Sequence, residues 1–143
     1  MRRGFTLVET MLALAVAGVL LGIALPRFTA LKQGLEVERA AHEIASAHRR
    51  ARIAAIAQGR PVILSVSAAA LCLTYMGAAA PHWCAPGPSA AGVSLAGAPR
   101  ELTFSPVGIT TGLSNATFRL SRGSAVREVV VSRLGRVRIS PSP

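Results

Sequence analysis

The first 26 residues, Met1–Pro26, read MRRGFTLVETMLALAVAGVLLGIALP, and their hydropathy decides how the rest of the chain is arranged. Two cations, Arg2 and Arg3, precede a run in which Thr10–Pro26 holds no charged residue and Phe5–Leu25 holds only Glu9. Twenty-one helical residues rise about 31 Å, close to the thickness of a hydrocarbon core. Basic residues ahead of such a run keep that end in the cytoplasm. A secretory signal has a shorter apolar region that ends at a small-residue cleavage site. This one passes into Pro26, Arg27 and a further helical pattern, so it reads as a retained anchor. A lone carboxylate is costly in lipid unless it is neutral or partnered, and Glu9 therefore needs a partner.

Working outward, residues 27–59 continue as helix. Val37, Ala40, Ala41, Ile44, Ala47, His48, Ala51 and Ala55 recur at steps of three and four along one face, the period of an amphipathic helix. Gln58-Gly59-Arg60-Pro61 stops it, because Gly accepts the left-handed cap and Pro cannot extend the ladder. From Pro61 the texture becomes β-prone, with strands expected at Val62–Val66, Leu71–Tyr75, Leu102–Phe104, Thr117–Leu120, Val126–Ser132 and Val137–Ser140. Gly77–Gly97 reads as a long loop. At Pro26 two readings stand: a bend inside one helix, or a helix boundary.

The chain has 143 residues, about one domain. Sixteen Lys+Arg against six Glu and no Asp give a formal charge of +10, and the hydrophobic share is 51% with only 4% aromatic. That balance excludes an acidic disordered tail and a large aromatic core. Cys72 and Cys84 offer no four-ligand metal spacing. They are either a disulfide, worth about 2 to 3 kcal/mol in the loop-entropy model if the compartment is oxidising, or two separate thiols. No carboxylate stands beside a His and a nucleophile in a catalytic arrangement. His42 and His48, six apart on a helix, fall on different faces, and His82 sits in the expected loop. No enzyme and no cofactor are expected.

Arg2-Arg3-Gly4-Phe5-Thr6-Leu7-Val8-Glu9 resembles the class III signal of type IV pilins and pseudopilins. The resemblance implies cleavage between Gly4 and Phe5 by a prepilin peptidase, N-methylation of Phe5, and assembly with other major or minor pilins or pseudopilins. Glu9 would meet the amine of a neighbour's Phe5, and Pro26 would be the helix-bending proline of the assembly segment. Leu102–Gly108, Asn115–Leu120, Arg127–Ser132 and Gly135-Arg136-Val137-Arg138 resemble the GspH/FimT group of minor pilin-like proteins. The implied architecture is α+β: a long N-terminal transmembrane and amphipathic helix packed on a small, mainly antiparallel β-sheet domain. Its parts are a leader at 1–4, a transmembrane assembly helix at 5–26, the amphipathic half of the helix at 27–59, and a periplasmic β-rich domain at 60–143. The protein would cross the inner membrane once, in a pilus or pseudopilus filament.

Residues 100–143 hold seven Arg against Glu101 and Glu128. On a strand Arg136 and Arg138 would point the same way, with Val137 and Ile139 toward the core. Guanidinium forks bind phosphate, and clustered cations attract a polyanion in a salt-dependent way. Gly-Arg-x-Arg is also the DNA-contacting segment of FimT-type proteins. The resemblance carries that role to Gly135, Arg136 and Arg138, with Arg127 and Arg133 as supports and double-stranded DNA as partner in natural transformation; Arg119 and Arg122 could extend the patch. Phe104 and Phe118 sit in core patterns, so base stacking has little support. The alternative is a structural pseudopilin of a type II secretion system, touching only other proteins, through the helix face around Ile44 and Ala51.

Overall fold

The structure is a computed structural model that describes residues 6–97, 100–111, 115–132 and 134–141. Gly4, Phe5 and Arg133 lie outside them. One helix, α1, spans Leu7–Gln58 and contains Pro26, so this proline is not a helix boundary. The chain forms two compact units, Met1–Lys32 and Gln33–Pro143. In the first, the apolar side chains from Leu7 to Leu31 are exposed. The helix is long and apolar enough to cross a membrane, with mean hydropathy 2.2 in its most apolar window.

In the second unit, all eight residues expected on the inner helix face are buried, joined by Ala45. Most of them are alanines, whose small side chains let the helix backbone lie close to its neighbours. They share one core with the inward side chains of two antiparallel sheets, including Leu64, Phe104, Phe118 and Val129. The first sheet has the order β3-β2-β1-β5-β6, formed by β1 (Val62–Val66), β2 (Ala70–Tyr75), β3 (Trp83–Pro86), β5 (Arg100–Phe104) and β6 (Thr110–Thr111). The second has the order β4-β7-β8-β9, formed by β4 (Ser94–Ala96), β7 (Ala116–Arg122), β8 (Ala125–Val131) and β9 (Val137–Pro141). Strict alternation along β1 and β7 explains the burial: Val62, Leu64 and Val66, and Ala116, Phe118 and Leu120, face inward. Ile44 and Ala51 are 1% and 0% exposed. A docking face centred on them is therefore corrected, because the sheets already cover it.

The segment 77–97 is not one long loop. It holds β3, a 3-10 turn at Pro88–Ala91, and β4. These were missed because they are short, small-residue segments whose pairing partners lie elsewhere in the chain. Cys72 and Cys84 sit directly opposite each other on β2 and β3 and are joined as a disulfide. After β3 the chain passes so close to the 68–70 turn that a Cβ on Gly87 would lie 2.6 Å from the Ala70 nitrogen and 2.7 Å from the Ala69 carbonyl carbon. Gly87 also donates its N–H to the Ala69 carbonyl at 2.8 Å.

Candidate nucleic-acid interface

The cations carried by β7, β8 and β9 fall on two sides of the second sheet. Cross-strand partners share a face. Val129 and Val131 are buried, and Val137 and Ile139, their partners on β9, pack against the core. Arg138 is opposite Val130, on the outer face, and is exposed. Arg119 is exposed on the same face, opposite Glu128. Arg127 has the parity of Val129 and faces the helix, where its Nε donates to Glu38 Oε2 at 2.7 Å. Arg122 makes an ion pair with Glu36 and donates to the Ala91 carbonyl. A patch that includes Arg122 and Arg127 is thus corrected: the helix carboxylates take up both charges. Arg136 and Arg138 have no ion-pair partner among the described residues.

Arg136 stands ahead of β9, in the turn that joins it to β8. Its N–H donates to Ser132 Oγ at 3.2 Å, and its carbonyl accepts from the Ser132 N–H at 2.9 Å. Gly135 has φ +72°, a conformation that L side chains adopt at a cost. A Cβ there would lie 3.6 Å from the Gly108 carbonyl oxygen and 3.8 Å from Arg52 Nη1. The glycine therefore turns the chain and brings the GRVR segment against the helix.

Between that turn and α1 lies a groove of about 440 Å³, lined by Arg49, Arg52 and Arg136 among others, and by no carboxylate. His48 also lines it, at 1% exposure, with both ring nitrogens unpartnered and its ring edge-on to Phe104. Burial, then the charges of Arg52 and Arg49, hold His48 down from 6.5 to about 4, so it is neutral at pH 7. Sequence reasoning did not place Arg49, Arg52 or His48 at the site. The signal was present: Ala45, His48, Arg49 and Arg52 follow the i, i+3, i+4, i+7 spacing of one helical stripe. Two neighbouring helix cations are engaged, Arg39 with Glu43 and Arg50 over the Trp83 ring at 4.6 Å.

The arrangement offers charge and hydrogen-bond donors to an anion. Among the described residues there is no cluster that could hold a metal.

Comparison with known proteins gives the family. Residues 40–135 match the family described as type II transport protein GspH, and residues 1–25 match the prokaryotic N-terminal methylation motif. The chain belongs to the GspH family of pilin-like proteins. This GspH-family protein is similar to the pilin-like protein PilA1 of Thermus thermophilus, at 33% identity over 96% of this chain and 98% of that one. It is also similar to a fimbrial protein of Pseudomonas aeruginosa, at 35% identity over 46% of this chain and 42% of that one. The fold resembles the crystal structure of the type IV minor pilin FimU of Pseudomonas aeruginosa, with TM-score 0.63 and 23% identity over 78% of this chain and 92% of that one. The GspH-family chain is thus a pilin-like protein that carries the N-terminal methylation motif. Its methylation motif implies prepilin peptidase processing and assembly with other pilins.

Proposed function

We propose that this protein is a minor subunit of a type IV pilus and binds double-stranded DNA through Arg136 and Arg138 for uptake in natural transformation. The observation that carries the reading is selective pairing: the helix carboxylates Glu36 and Glu38 take Arg122 and Arg127, while Arg136 and Arg138 stay exposed without an acid partner among the described residues. Gly135 shapes the turn that presents them, and Arg133 belongs to the same basic stretch of sequence. Contact is with the phosphate backbone and tolerates sequence. In this reading the leader is cut between Gly4 and Phe5 and Phe5 is methylated. Glu9 pairs with the amine of a neighbouring Phe5, Pro26 serves the packing of the filament helices, and the C-terminal domain lies in the periplasm.

The test is a titration of the full chain, in non-ionic detergent, with a 20-base-pair duplex at several salt concentrations. Each phosphate contact contributes about 0.9 to the slope of log K against log salt. Arg136→Gln with Arg138→Gln should weaken binding and lower the slope by about 2; unchanged binding would remove the reading.

A second reading, a pseudopilin of a type II secretion system, is favoured by the description of the family that matches residues 40–135. It expects no salt-dependent duplex affinity in the wild type.

A further inference from the structure

We propose that the groove between α1 and the β8–β9 turn is a subsite for a single phosphodiester group, held by Arg49 and Arg52 from the helix and Arg136 from the turn. The inference rests on the DNA reading above and extends it to residues far from the C-terminus. Its source is the backbone of the duplex that Arg138 meets on the outer face; an anionic phospholipid headgroup carries the same chemistry, and the experiment separates the two.

Three observations converge. The groove holds about 440 Å³, room for a group as small as a phosphodiester. Its charged lining residues are all arginines, and none of the three has an ion-pair partner among the described residues, although every other helix carboxylate from Glu36 to Glu43 has found a cation or a His. Like-charged guanidiniums repel one another, and an anion between them relieves that repulsion. The third observation is independent of charge. His48 lines the groove at 1% exposure with neither ring nitrogen hydrogen-bonded. A buried imidazole normally finds a partner, and a phosphate oxygen in the groove would accept its N–H. Gly108 lets its turn approach Arg52 closely, since a Cβ there would lie 3.2 Å from Arg52 Nε, whereas Gly135 is needed for its positive φ.

The experiment uses the full chain in non-ionic detergent with the same duplex, and compares three double variants. Arg49→Gln with Arg52→Gln should weaken binding about tenfold or more at low salt and reduce the salt slope by about 0.9, the share of the one phosphate they hold. Arg39→Gln with Arg50→Gln removes the same charge from the same helix, but from side chains paired with Glu43 and stacked on Trp83. It should leave the slope near wild type; an equal loss would mean that net charge alone is at work and would overturn the subsite. If the Arg49/Arg52 variant binds like wild type while Arg136→Gln with Arg138→Gln loses binding, the subsite fails and the DNA reading stands. If the Arg49/Arg52 variant loses binding and the Arg136/Arg138 variant does not, the helix cations carry DNA without Arg136, and both the GRVR reading and the three-arginine subsite fall. Micelles doped with phosphatidylglycerol separate the sources. Duplex affinity that survives doping assigns the groove to DNA, whereas a wild type reduced to the level of the Arg49/Arg52 variant assigns it to lipid and overturns the proposal. Near-UV circular dichroism checks that each variant is folded.

Discussion

The imidazole of His48 meets the ring of Phe104 edge-on, with centroids 4.9 Å apart and planes at 78°. This contact puts a titratable group against the largest side chains of the core, beside Arg49 and Arg52. An ionised ring there is opposed by lost hydration and by both neighbouring charges.

A pH dependence follows. The folded state binds the His48 proton near pH 4, the unfolded state near 6.5. Above 6.5 both are neutral and the histidine costs nothing. As pH falls from 6.5 to 4 the unfolded chain takes up the proton first, so stability is lost across that window. At about 1.4 kcal/mol per pH unit the ceiling is about 3 kcal/mol. His48→Leu should lose less stability than wild type between pH 7 and pH 4.5 in thermal melts.

Arg127 tests the assignment of paired and unpaired cations. Its partner Glu38 is 39% exposed and the pair is screened by solvent, so Arg127→Gln should cost under about 1 kcal/mol in denaturant unfolding. Because its charge is already met, the duplex salt slope should stay at the wild-type value, against a fall of about 0.9 for Arg136→Gln.

The Cys72–Cys84 bond closes a separation of 12 residues. Chain-entropy reasoning gives it about 2 to 3 kcal/mol. Cys72→Ser with Cys84→Ser should lower the urea midpoint by the corresponding amount, and adding reductant should move the wild type the same way and leave the double variant unmoved.

Gly87 has no unusual backbone angle, so its need for a missing side chain is steric. A methyl group would press on the backbone of residues 68–70. Gly87→Ala should cost about 1 to 3 kcal/mol, the range for overpacking, whereas Gly34→Ala, which meets nothing within 4 Å, should not destabilise.

Processing is read by mass. In a cell with prepilin peptidase, the mature chain should begin at a methylated Phe5, and Gly4→Val should leave a precursor that keeps Arg2 and Arg3. A wild-type chain that retains residues 1–4 in such a cell would contradict the leader assignment.

Much of the fold was legible because its elements declare themselves locally. The inner helix face at steps of three and four, and the strand Val62–Val66, are hydropathy patterns complete within a few residues. β3 and β4 were not legible: Trp83–Pro86 and Ser94–Ala96 carry little apolar alternation and become strands through partners on β2 and β7. The site divided in the same way. Arg136 and Arg138 announced themselves by spacing, whereas the helix arginines were hidden among many similar residues.

By itself, the order of residues determined an apolar N-terminal helix, a charged domain after it, and the segments able to pair as strands, since each depends on near neighbours in the chain. Only the tertiary structure decided which cations are spent and which are free. Glu38 and Arg127 lie 89 residues apart in sequence, yet within hydrogen-bond distance in space. Likewise, Arg49 and Arg52 reach the groove of Arg136 only when the last hairpin folds back onto the helix. Charge is long-ranged along no sequence coordinate; it is settled by where the folded backbone sets each side chain down.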